Sequence, residues 1–242
     1  MPKERFFNKP NNDRKFYEFP VSQCNIEGDV ILIDKPYRCT SFDIVGQLKY
    51  ALKQEFHQKI KVGHAGTLDP LATGLLIVCI GSFTKKIESF QAEEKEYTGT
   101  FVVGATTPSF DLEKEIDATY PYEHITEDHA RAVAQSFIGE SEQTPPLFSA
   151  VRVDGKRAYE LAREGVDAQI LPKKINIREF EINRFDLPEI DFRISCSKGT
   201  YIRSIARDFG RKLKSGAYLK SLRRTKIGEY SVQNAWVLNE KK

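Results

Sequence analysis

The chain has 242 residues, of which 40% are hydrophobic and 11% aromatic, and its formal net charge is +3. This composition excludes an intrinsically disordered protein, and the length suits one domain with a substantial core. The longest apolar run, residues 75–80, is far too short to cross a bilayer, and the first ten residues lack the apolar stretch of a secretory signal, so we expect a cytoplasmic protein.

The first fifth of the chain predicts an arm, a strand and a helix. Residues 1–27 mix charged residues, Asn and Phe without a period, and we expect them to form an arm draped on the domain. Residues 29–34 (DVILID) are a buried strand that Lys35-Pro36 ends. Thr40 and Ser41 then offer N-caps for a helix whose apolar residues recur with helical spacing.

A glycine-rich loop follows, GHAGTLDPLATG at residues 63–74, and leads into an apolar strand that ends at Gly81. Pro70 pushes Asp69 towards an extended backbone and makes the loop stiff. A carboxylate on such a loop is how an enzyme would present a fixed nucleophile or base. An Asx-type turn that merely shapes the loop fits the same spacing. Spacing alone therefore leaves both interpretations open.

Other kinds of site fit this loop less well. No Gly-Lys-Ser/Thr follows at P-loop spacing, and the chain has no GxSxG elbow. His64 and Asp69 could both bind a metal, but no further His or Cys cluster completes a site. The four cysteines are isolated, without CxxC spacing, which is typical of thiols in a reducing compartment. For His64 alone, a hydrogen bond that shapes the loop is the simpler interpretation.

The second half of the chain predicts strands with two helices among them. Residues 97–103 alternate before a turn at Gly104, and residues 192–196 alternate cleanly. A strand with an irregularity is expected over 175–182, and helices after Thr126, closed by Gly139, and from about Tyr201. Strands outnumber helices without regular alternation, which predicts an α+β fold with a largely antiparallel sheet. No linker divides residues 28–242, so we expect one domain there.

The C-terminal part of the chain is strongly basic. Residues 193–226 hold eleven Lys or Arg and one acid, a charge of +10, so the other residues sum to −7. Tyr201 and Tyr218 lie among these charges, which suits both phosphate contact and base stacking, although a solvated helical face is the alternative. The segment KGTYIRSIARDFG places Arg203 near a helix start, where it could pair with a carboxylate or a phosphate.

Six segments, taken together and in this order, resemble the TruB-type tRNA pseudouridine synthases, a family that acts on uridine 55 of the tRNA T-loop. A single GHAGTLDPLATG is already specific, and six collinear segments make coincidence very improbable. The segments are GDVILIDKP (28–36) with TSFDIV (40–45), GHAGTLDPLATGLL (63–76), KEYTGTFVVGATT (95–107), TPPLFSAVRVDGKRAYELAREG (144–165), KGTYIRSIARDFG (198–210) and GAYLKSLRRTKIG (216–228).

The resemblance implies a mixed, mainly antiparallel sheet flanked by helices and loops, and it implies roles for particular residues. Asp69 would be the catalytic aspartate, Tyr97 would stack on the flipped-out base, and Arg203 would pair with Asp69. The residues implied to bind the substrate are His64, Lys95, Asp111, Tyr201 and Leu222. The residues expected to contact the RNA backbone are Lys198, Arg223 and Arg224.

The implied reaction isomerises uridine to pseudouridine. The N1–C1′ bond breaks, the base turns within the site, and C5 joins C1′, with no cofactor or metal. The implied partner is the T-stem-loop of tRNA, bound by a monomer without a guide RNA or a membrane. Three other functions stay open: an RNA-binding or folding factor, a guide-RNA-dependent relative, and a nucleosidase that would release free uracil.

Two departures from the family pattern are visible. The family commonly continues the third segment as Thr-Asp-Thr-x-Asp-x-x-Gly, where this chain has Thr-Pro-Ser-Phe-Asp at 107–111 and no Gly after it. Asp111 is retained, but the RNA-facing loop around it differs. Many members also carry a C-terminal PUA or PUA-like domain, and we expect no complete one after residue 228.

Overall fold

The computed structural model describes residues 15–149, 151–153, 156–158 and 170–241. The fourth family segment, 144–165, therefore lies partly outside the described residues. The strands are β1 (Gly28–Lys35), β2 (Val62–His64), β3 (Ala72–Gly81), β4 (Lys95–Val103), β5 (Ala105–Thr106), β6 (Ala118–Thr119), β7 (Gly139–Gln143), β8 (Arg152–Val153), β9 (Lys156–Arg157), β10 (Lys173–Asp186), β11 (Glu189–Cys196), β12 (Ala217–Ile227), β13 (Tyr230–Ser231) and β14 (Trp236–Val237).

Helices connect or cover these strands. The α-helices of the described residues are α1 (Ser41–Phe56), α2 (Ile87–Ala92), α3 (Glu127–Gln135) and α4 (Ile202–Lys212). Short 3-10 turns form at Val21–Gln23, Ser82–Lys86 and Val232–Asn234. In the part of the chain that the structure describes, no helix is both long and apolar enough to span a membrane.

The large sheet has the strand order β14-β1-β3-β12-β4-β11-β10-β7, with β2 beside β3 and β13 beside β12. Every neighbouring pair is antiparallel except β14 with β1 and β12 with β3. Two small hairpins, β5-β6 and β8-β9, stand apart from it. The predicted α+β fold with a mixed, mainly antiparallel sheet is therefore confirmed.

Local sequence signals explain several element boundaries. Thr40 caps α1 through a capping box, since its side chain accepts from the Asp43 amide and the Asp43 carboxylate accepts from the Thr40 amide. The irregularity predicted within 175–182 is a shift of register in β10 between Ile177 and Glu179. The predicted loop 63–74 is shorter in the structure, because β2 extends to His64 and β3 begins at Ala72.

Three apolar clusters pack on the sheet, and two of them position α4 and the N-terminal segment. One cluster contains the stacked rings of Phe101 and Phe192, with centroids 4.1 Å apart, together with Phe180 on β10 and Phe209 on α4. This cluster attaches α4 firmly to the sheet, so the residues in the first turn of α4 are held in place. The second cluster lies between α1 and the strands β1 and β3.

The predicted N-terminal arm is partly integrated into the second cluster. Residues 1–14 lie outside the described residues, but Tyr17 and Val21 are buried against α1 and its neighbours. The Tyr17 amide donates to Gln47 on α1, and the Glu18 amide donates to the carbonyl of Asn239 near the C-terminus. From Tyr17 onwards, the segment is thus part of the packed domain.

The order of the sheet brings the family segments together. Strands β3, β12 and β4 are adjacent, so the loop before β3 lies beside the middle of β12 and the start of β4. Helix α4 packs on β12 from the same part of the molecule. Residues more than a hundred positions apart in sequence therefore meet at one place.

Candidate active site

Asp69 lies on the loop between β2 and β3, which is held from both sides. The Ser41 hydroxyl, at the start of α1, accepts a hydrogen bond from the Leu68 amide at 2.9 Å and lies 3.3 Å from the Leu68 carbonyl. The Ala72 amide donates to the Asp69 carbonyl at 3.0 Å. The Asp69 side chain is 40% exposed. A fixed backbone thus presents an accessible carboxylate, as a catalytic group requires.

Arg203 in the first turn of α4 pairs with Asp69. The Arg203 Nε atom is 2.9 Å from Asp69 Oδ2, and the Arg203 side chain is only 5% exposed. Its remaining nitrogens donate to backbone carbonyls, Nη1 to Ser109 at 3.3 Å and Nη2 to Phe148 at 3.0 Å. The predicted pairing of Arg203 with a carboxylate, and not with a phosphate, is what the geometry shows. A guanidinium held this way fixes the direction of the Asp69 carboxylate through a charge-assisted contact.

Asp111 brings a second carboxylate to the same guanidinium. Its Oδ2 atom is 3.6 Å from Arg203 Nε, and its side chain is nearly buried. The Oδ1 atom accepts from the Ser109 hydroxyl at 2.6 Å and from the Glu113 amide at 3.0 Å. These two donors fix the orientation of Asp111 towards Arg203.

The loop that departs from the family pattern has an unusual backbone at Phe110. Phe110 has φ +62°, in the left-handed region. The Arg207 guanidinium lies over its ring, 5.2 Å from the centroid, and the Phe110 carbonyl accepts from the Leu219 amide at 2.9 Å. These contacts hold the loop closed around Ser109 and Asp111 without the glycine that the family pattern carries.

An open cleft lies directly at Asp69. Its lining residues come from the loop between β2 and β3, the Asp111 loop, and the strands β3 and β12: Asp69, Leu71, Ala72, Asp111, Leu219, Lys220, Ser221 and Leu222. Three of the predicted site residues, Asp69, Asp111 and Leu222, thus share one concave surface. On the β12 side, Leu219 and Leu222 supply apolar surface, which suits the flat face of a base.

The two predicted tyrosines differ in environment. Tyr97 on β4 is 9% exposed, and burial raises the pKa of its phenol while the charge of Arg224 acts to lower it. Tyr201 is half-buried at the N-cap of α4, and burial raises its pKa as well. The side chain of Gln143 bonds both the amide and the carbonyl of Tyr201. Both phenols are therefore protonated at neutral pH.

His64 is the last residue of β2, and its side chain is partly buried. Burial, and next the charge of Arg224, lower the pKa of its imidazole, so the ring is neutral at neutral pH. Its Nδ1 atom is buried and has no hydrogen-bond partner among the described residues. Among those same residues, no hydrogen bond or ion pair joins His64 to Asp69. A role in the chemistry at Asp69 is not visible in this arrangement.

Lys95 does not face the cleft. Its ammonium donates to the carbonyl of Gln91 at 2.6 Å and to that of Glu93, at the end of α2. The side chain is buried, and burial lowers its pKa to about 8. The predicted contact with substrate is thus replaced by a structural role, because the ammonium is used to satisfy the free carbonyls of a helix end.

The three residues predicted to contact the RNA backbone lie in different environments. Lys198 is exposed just before α4. Arg223 is 40% exposed and pairs with Asp34 through both carboxylate oxygens, at 3.0 and 2.6 Å. Arg224 is only 2% exposed. The prediction for Arg224 is therefore wrong in this structure, since a buried guanidinium cannot reach a phosphate.

Sequence reasoning missed several residues that support the site. Lys35 is fully buried beside the loop, where its ammonium donates to the carbonyls of Cys39 and Pro36. Ser109 orients Asp111, and Ser41, which the sequence suggested only as a helix cap, anchors Leu68. The charged residue at the end of the β1 pattern was the one available signal for Lys35. No group of three or more His, Cys, Asp or Glu within the described ranges could hold a metal ion.

Comparisons with known proteins agree with this site. Residues 53–202 match the family model described as TruB family pseudouridylate synthase, N-terminal domain. The tRNA pseudouridine synthase B of Flavobacterium johnsoniae is 58% identical over 212 residues, which are 87% of this chain and 93% of that protein. That of Phocaeicola vulgatus is 55% identical over 209 residues, 86% of this chain and 89% of that protein.

Solved structures show the same fold in a larger assembly. A chain in the crystal structure of a Cbf5-Nop10-Gar1 complex matches with a TM-score of 0.66 at 26% identity, over 95% of this chain and 58% of that chain. The present chain thus spans little more than half the length of that neighbour. The family model covers more than half of this chain, and its curated relatives match it over most of their length. The chain belongs to the TruB family of pseudouridylate synthases.

Proposed function

We propose that this protein isomerises uridine to pseudouridine in tRNA, at position 55 of the T-loop. The main observation behind this proposal is the Asp69–Arg203 pair at 2.9 Å, which lies at the edge of an open cleft in a member of the TruB family. The relatives' names specify tRNA as the substrate of those proteins, which supports the same substrate here. The T-loop position follows from the family resemblance.

The reaction needs a carboxylate next to the sugar, and Asp69 is suited to that place. When the N1–C1′ bond breaks, C1′ becomes electron-poor, and an ionised carboxylate can attack it, stabilise its charge or remove a sugar proton. The base then turns, C5 bonds to C1′, the C5 proton leaves and N1 gains a proton. Arg203 holds the Asp69 carboxylate in its orientation during these steps.

The uridine must leave its stack before Asp69 can reach it. Tyr97, from the start of β4, is proposed to stack on the flipped base and to assist removal of the C5 proton. Leu222 and Asp111 line the cleft and would enclose the nucleotide, and the family resemblance adds His64 and Tyr201 as further contacts. The exposed Lys198 and the partly exposed Arg223 are proposed as contacts to RNA phosphates.

The proposed partner is tRNA alone. Residues 28–242 would form the catalytic domain, acting in the cytoplasm as a monomer without a guide RNA, a cofactor or a metal. The match to relatives named for tRNA, over 93% and 89% of their lengths, supports tRNA as the substrate. The match to the chain of the Cbf5-Nop10-Gar1 complex covers only 58% of that chain, so its assembly is not carried over.

The direct test incubates the purified protein with an unmodified T-stem-loop and maps pseudouridine. Asp69→Asn keeps the shape of the side chain but removes its charge, so we expect a rate at least about a thousandfold lower. RNA affinity should stay within about fivefold, since Asp69 is one small group in a large interface. Asp186→Asn makes the same exchange at an exposed carboxylate that does not line the cleft, so it is the matched control and should react at the wild-type rate.

Three results would contradict the proposal. Undiminished pseudouridine formation by Asp69→Asn would exclude the catalytic role of Asp69. Release of free uracil in place of pseudouridine would identify a nucleosidase. Modification that appears only after a guide RNA is added would identify a guide-dependent enzyme.

A further inference from the structure

Arg224 lies at the centre of the three strands that carry the site. It is on β12, where its register partners are Tyr97 on β4 and Gly74 on β3. Its side chain is 2% exposed, and it is among the largest fully buried side chains of the described residues. An arginine so deeply placed must use its hydrogen bonds inside the protein, because a buried charge without partners is very costly.

The guanidinium connects the catalytic loop to the sheet. Its Nε atom donates to the Leu75 carbonyl on β3 at 2.8 Å, and its Nη2 atom donates to the Gly66 carbonyl at 3.1 Å. Gly66 precedes Asp69 by three residues on the same loop and has φ +101°. The loop is thus held at Gly66 by Arg224 and at Leu68 by Ser41, directly before the catalytic carboxylate.

No carboxylate pairs with Arg224 among the residues that the structure describes. Its positive charge is directed at other groups instead. The charge acts on the phenol of Tyr97, which is directly opposite Arg224 on β4, and on the imidazole of His64. Two buried ammonium groups, those of Lys35 and Lys95, are also within its electrostatic reach. The interior beneath the catalytic loop is therefore positively charged.

We propose that Arg224 is a positioning residue for the isomerisation, which holds the Tyr97 phenol and the Gly66 end of the catalytic loop in their reactive places. It acts through Tyr97 and Asp69 and does not touch the RNA. This inference rests on the proposed function, in which Tyr97 contacts the flipped base and Asp69 contacts the sugar. It gives Arg224 a different role from the adjacent Arg223, which is exposed and paired with Asp34.

The buried Arg224 guanidinium can hold Tyr97 from the interior side and so fix the position of its ring. Only 9% of Tyr97 is exposed, so its ring can contact a base only through this small area. The rigid, planar guanidinium of Arg224 contacts both the Tyr97 phenol and the Gly66 carbonyl on the loop of Asp69. This limits the relative motion of Tyr97 and Asp69. Small displacements of reacting groups are costly for rate, about a hundredfold for 1 Å.

The experiment compares Arg224→Lys and Arg224→Gln with Lys226→Gln. Lys226 lies two residues further along β12, but it is 54% exposed and pairs with Glu96, so its exchange removes a charge from the same strand without touching the site. The measured quantities are the single-turnover rate at saturating enzyme, the Kd for an unmodified T-stem-loop, and the Tm of each variant. Only variants with a cooperative thermal transition are compared.

Both Arg224 variants should lower the saturating rate by at least about tenfold, because Lys cannot span Gly66 and Leu75 and Gln lacks the charge. The Kd and the dependence of log Kd on log salt should match those of Lys226→Gln. A raised Kd with a salt slope smaller by about one would instead identify a phosphate contact and overturn the proposal. So would a rate equal to that of wild type.

A double-mutant cycle separates positioning from a general loss of stability. In a Tyr97→Phe background the phenol oxygen is absent, so Arg224→Lys should reduce the rate by a much smaller factor than in wild type. Equal factors in the two backgrounds would show that Arg224 does not act through Tyr97, and would overturn that part. If wild type itself forms no pseudouridine, the proposed function has failed, which is distinct from failure of this inference.

Discussion

At the scale of single residues, the site depends on a chain of polar contacts that ends at Asp69. The Ser109 hydroxyl bonds Asp111, Asp111 faces Arg203, and Arg203 holds Asp69. Each group is oriented by the one behind it, and Ser109 and Asp111 are buried. A change at Ser109 is therefore expected to disturb the orientation of Asp69, the carboxylate proposed to contact the sugar.

Ser109→Ala tests this chain of contacts. Loss of the 2.6 Å bond leaves the Asp111 carboxylate held by the Glu113 amide alone and less firmly oriented towards Arg203, so we expect the single-turnover rate to fall about tenfold. The free energy of unfolding should fall by about 1 kcal/mol, as for one buried hydrogen bond. Ser89→Ala, an exposed serine bonded to the Lys86 carbonyl, is the control for the change of residue type. Equal rates for the two variants would show that Ser109 is not part of the site.

The buried ammonium of Lys35 should make the free energy of unfolding depend on pH. Burial lowers its pKa from 10.5 to about 8, so between these pH values the unfolded chain binds a proton that the folded protein does not. Its contribution to stability therefore rises with pH across this window, by on the order of 1–3 kcal/mol. Urea unfolding at pH 7.5 to 10 should show that Lys35→Met lacks this part of the pH dependence. Parallel curves for wild type and variant would contradict it.

At the scale of elements, the site depends on the close approach of β3 and β12. Gly74 has φ +100°, and a Cβ atom there would lie 2.3 Å from the Arg224 carbonyl oxygen. Only a glycine at this position allows β3 and β12 to approach so closely just after the loop that carries Asp69. The parallel pairing of Leu222 with Ala72 continues from the same place.

Gly74→Ala should therefore be strongly destabilising. The positive φ alone costs about 1–2 kcal/mol for alanine, and the backbone clash adds at least about as much again. Gly139→Ala is a matched control, because Gly139 has φ +105° but a Cβ atom there would meet no atom of the described residues within 4 Å. Urea unfolding should give a loss for Gly74→Ala at least twice that for Gly139→Ala, and similar losses would show that the strands can separate to accept the methyl group.

At the scale of the whole molecule, the basic segment 193–226 is less available to RNA than its +10 suggests. Arg193 contacts Glu96, Glu179 and Glu181, Arg207 contacts Asp208, and Lys220 contacts Glu189. Arg203 and Arg224 are buried. Much of this positive charge is thus used to hold strands and the site together.

Exposed lysines without an acidic partner should carry the salt dependence of RNA binding. Lys198→Gln is expected to reduce the slope of log Kd against log salt by about one, the effect of one lost phosphate contact. Lys15→Gln is the control, since Lys15 is exposed and pairs with Glu240 near the chain termini. If both variants keep the wild-type slope, Lys198 is not a phosphate contact.

The sequence alone determined the fold class, the family and eight of the strands and helices, but not the strand β12. Periodic apolar patterns identified β1, β3, β4, β11 and α4 because burial on one face leaves a period in the sequence. Asp69, with Pro70 after it and glycines around it, was found because its loop has a specific local pattern. Its role came from the resemblance, since an Asx turn fits the same spacing.

Tertiary structure decided which charged residues are exposed and what they contact. Arg223 and Arg224 are adjacent and chemically alike in the sequence, yet one is 40% exposed and the other is buried beneath the catalytic loop. Lys95 and Lys35 likewise look like surface lysines but satisfy buried carbonyls. Alternation along a strand sets which side a residue faces, but the strands and loops packed on that side come from distant parts of the chain. Local sequence therefore located the Asp69 carboxylate, and only the assembled sheet showed what holds it in place.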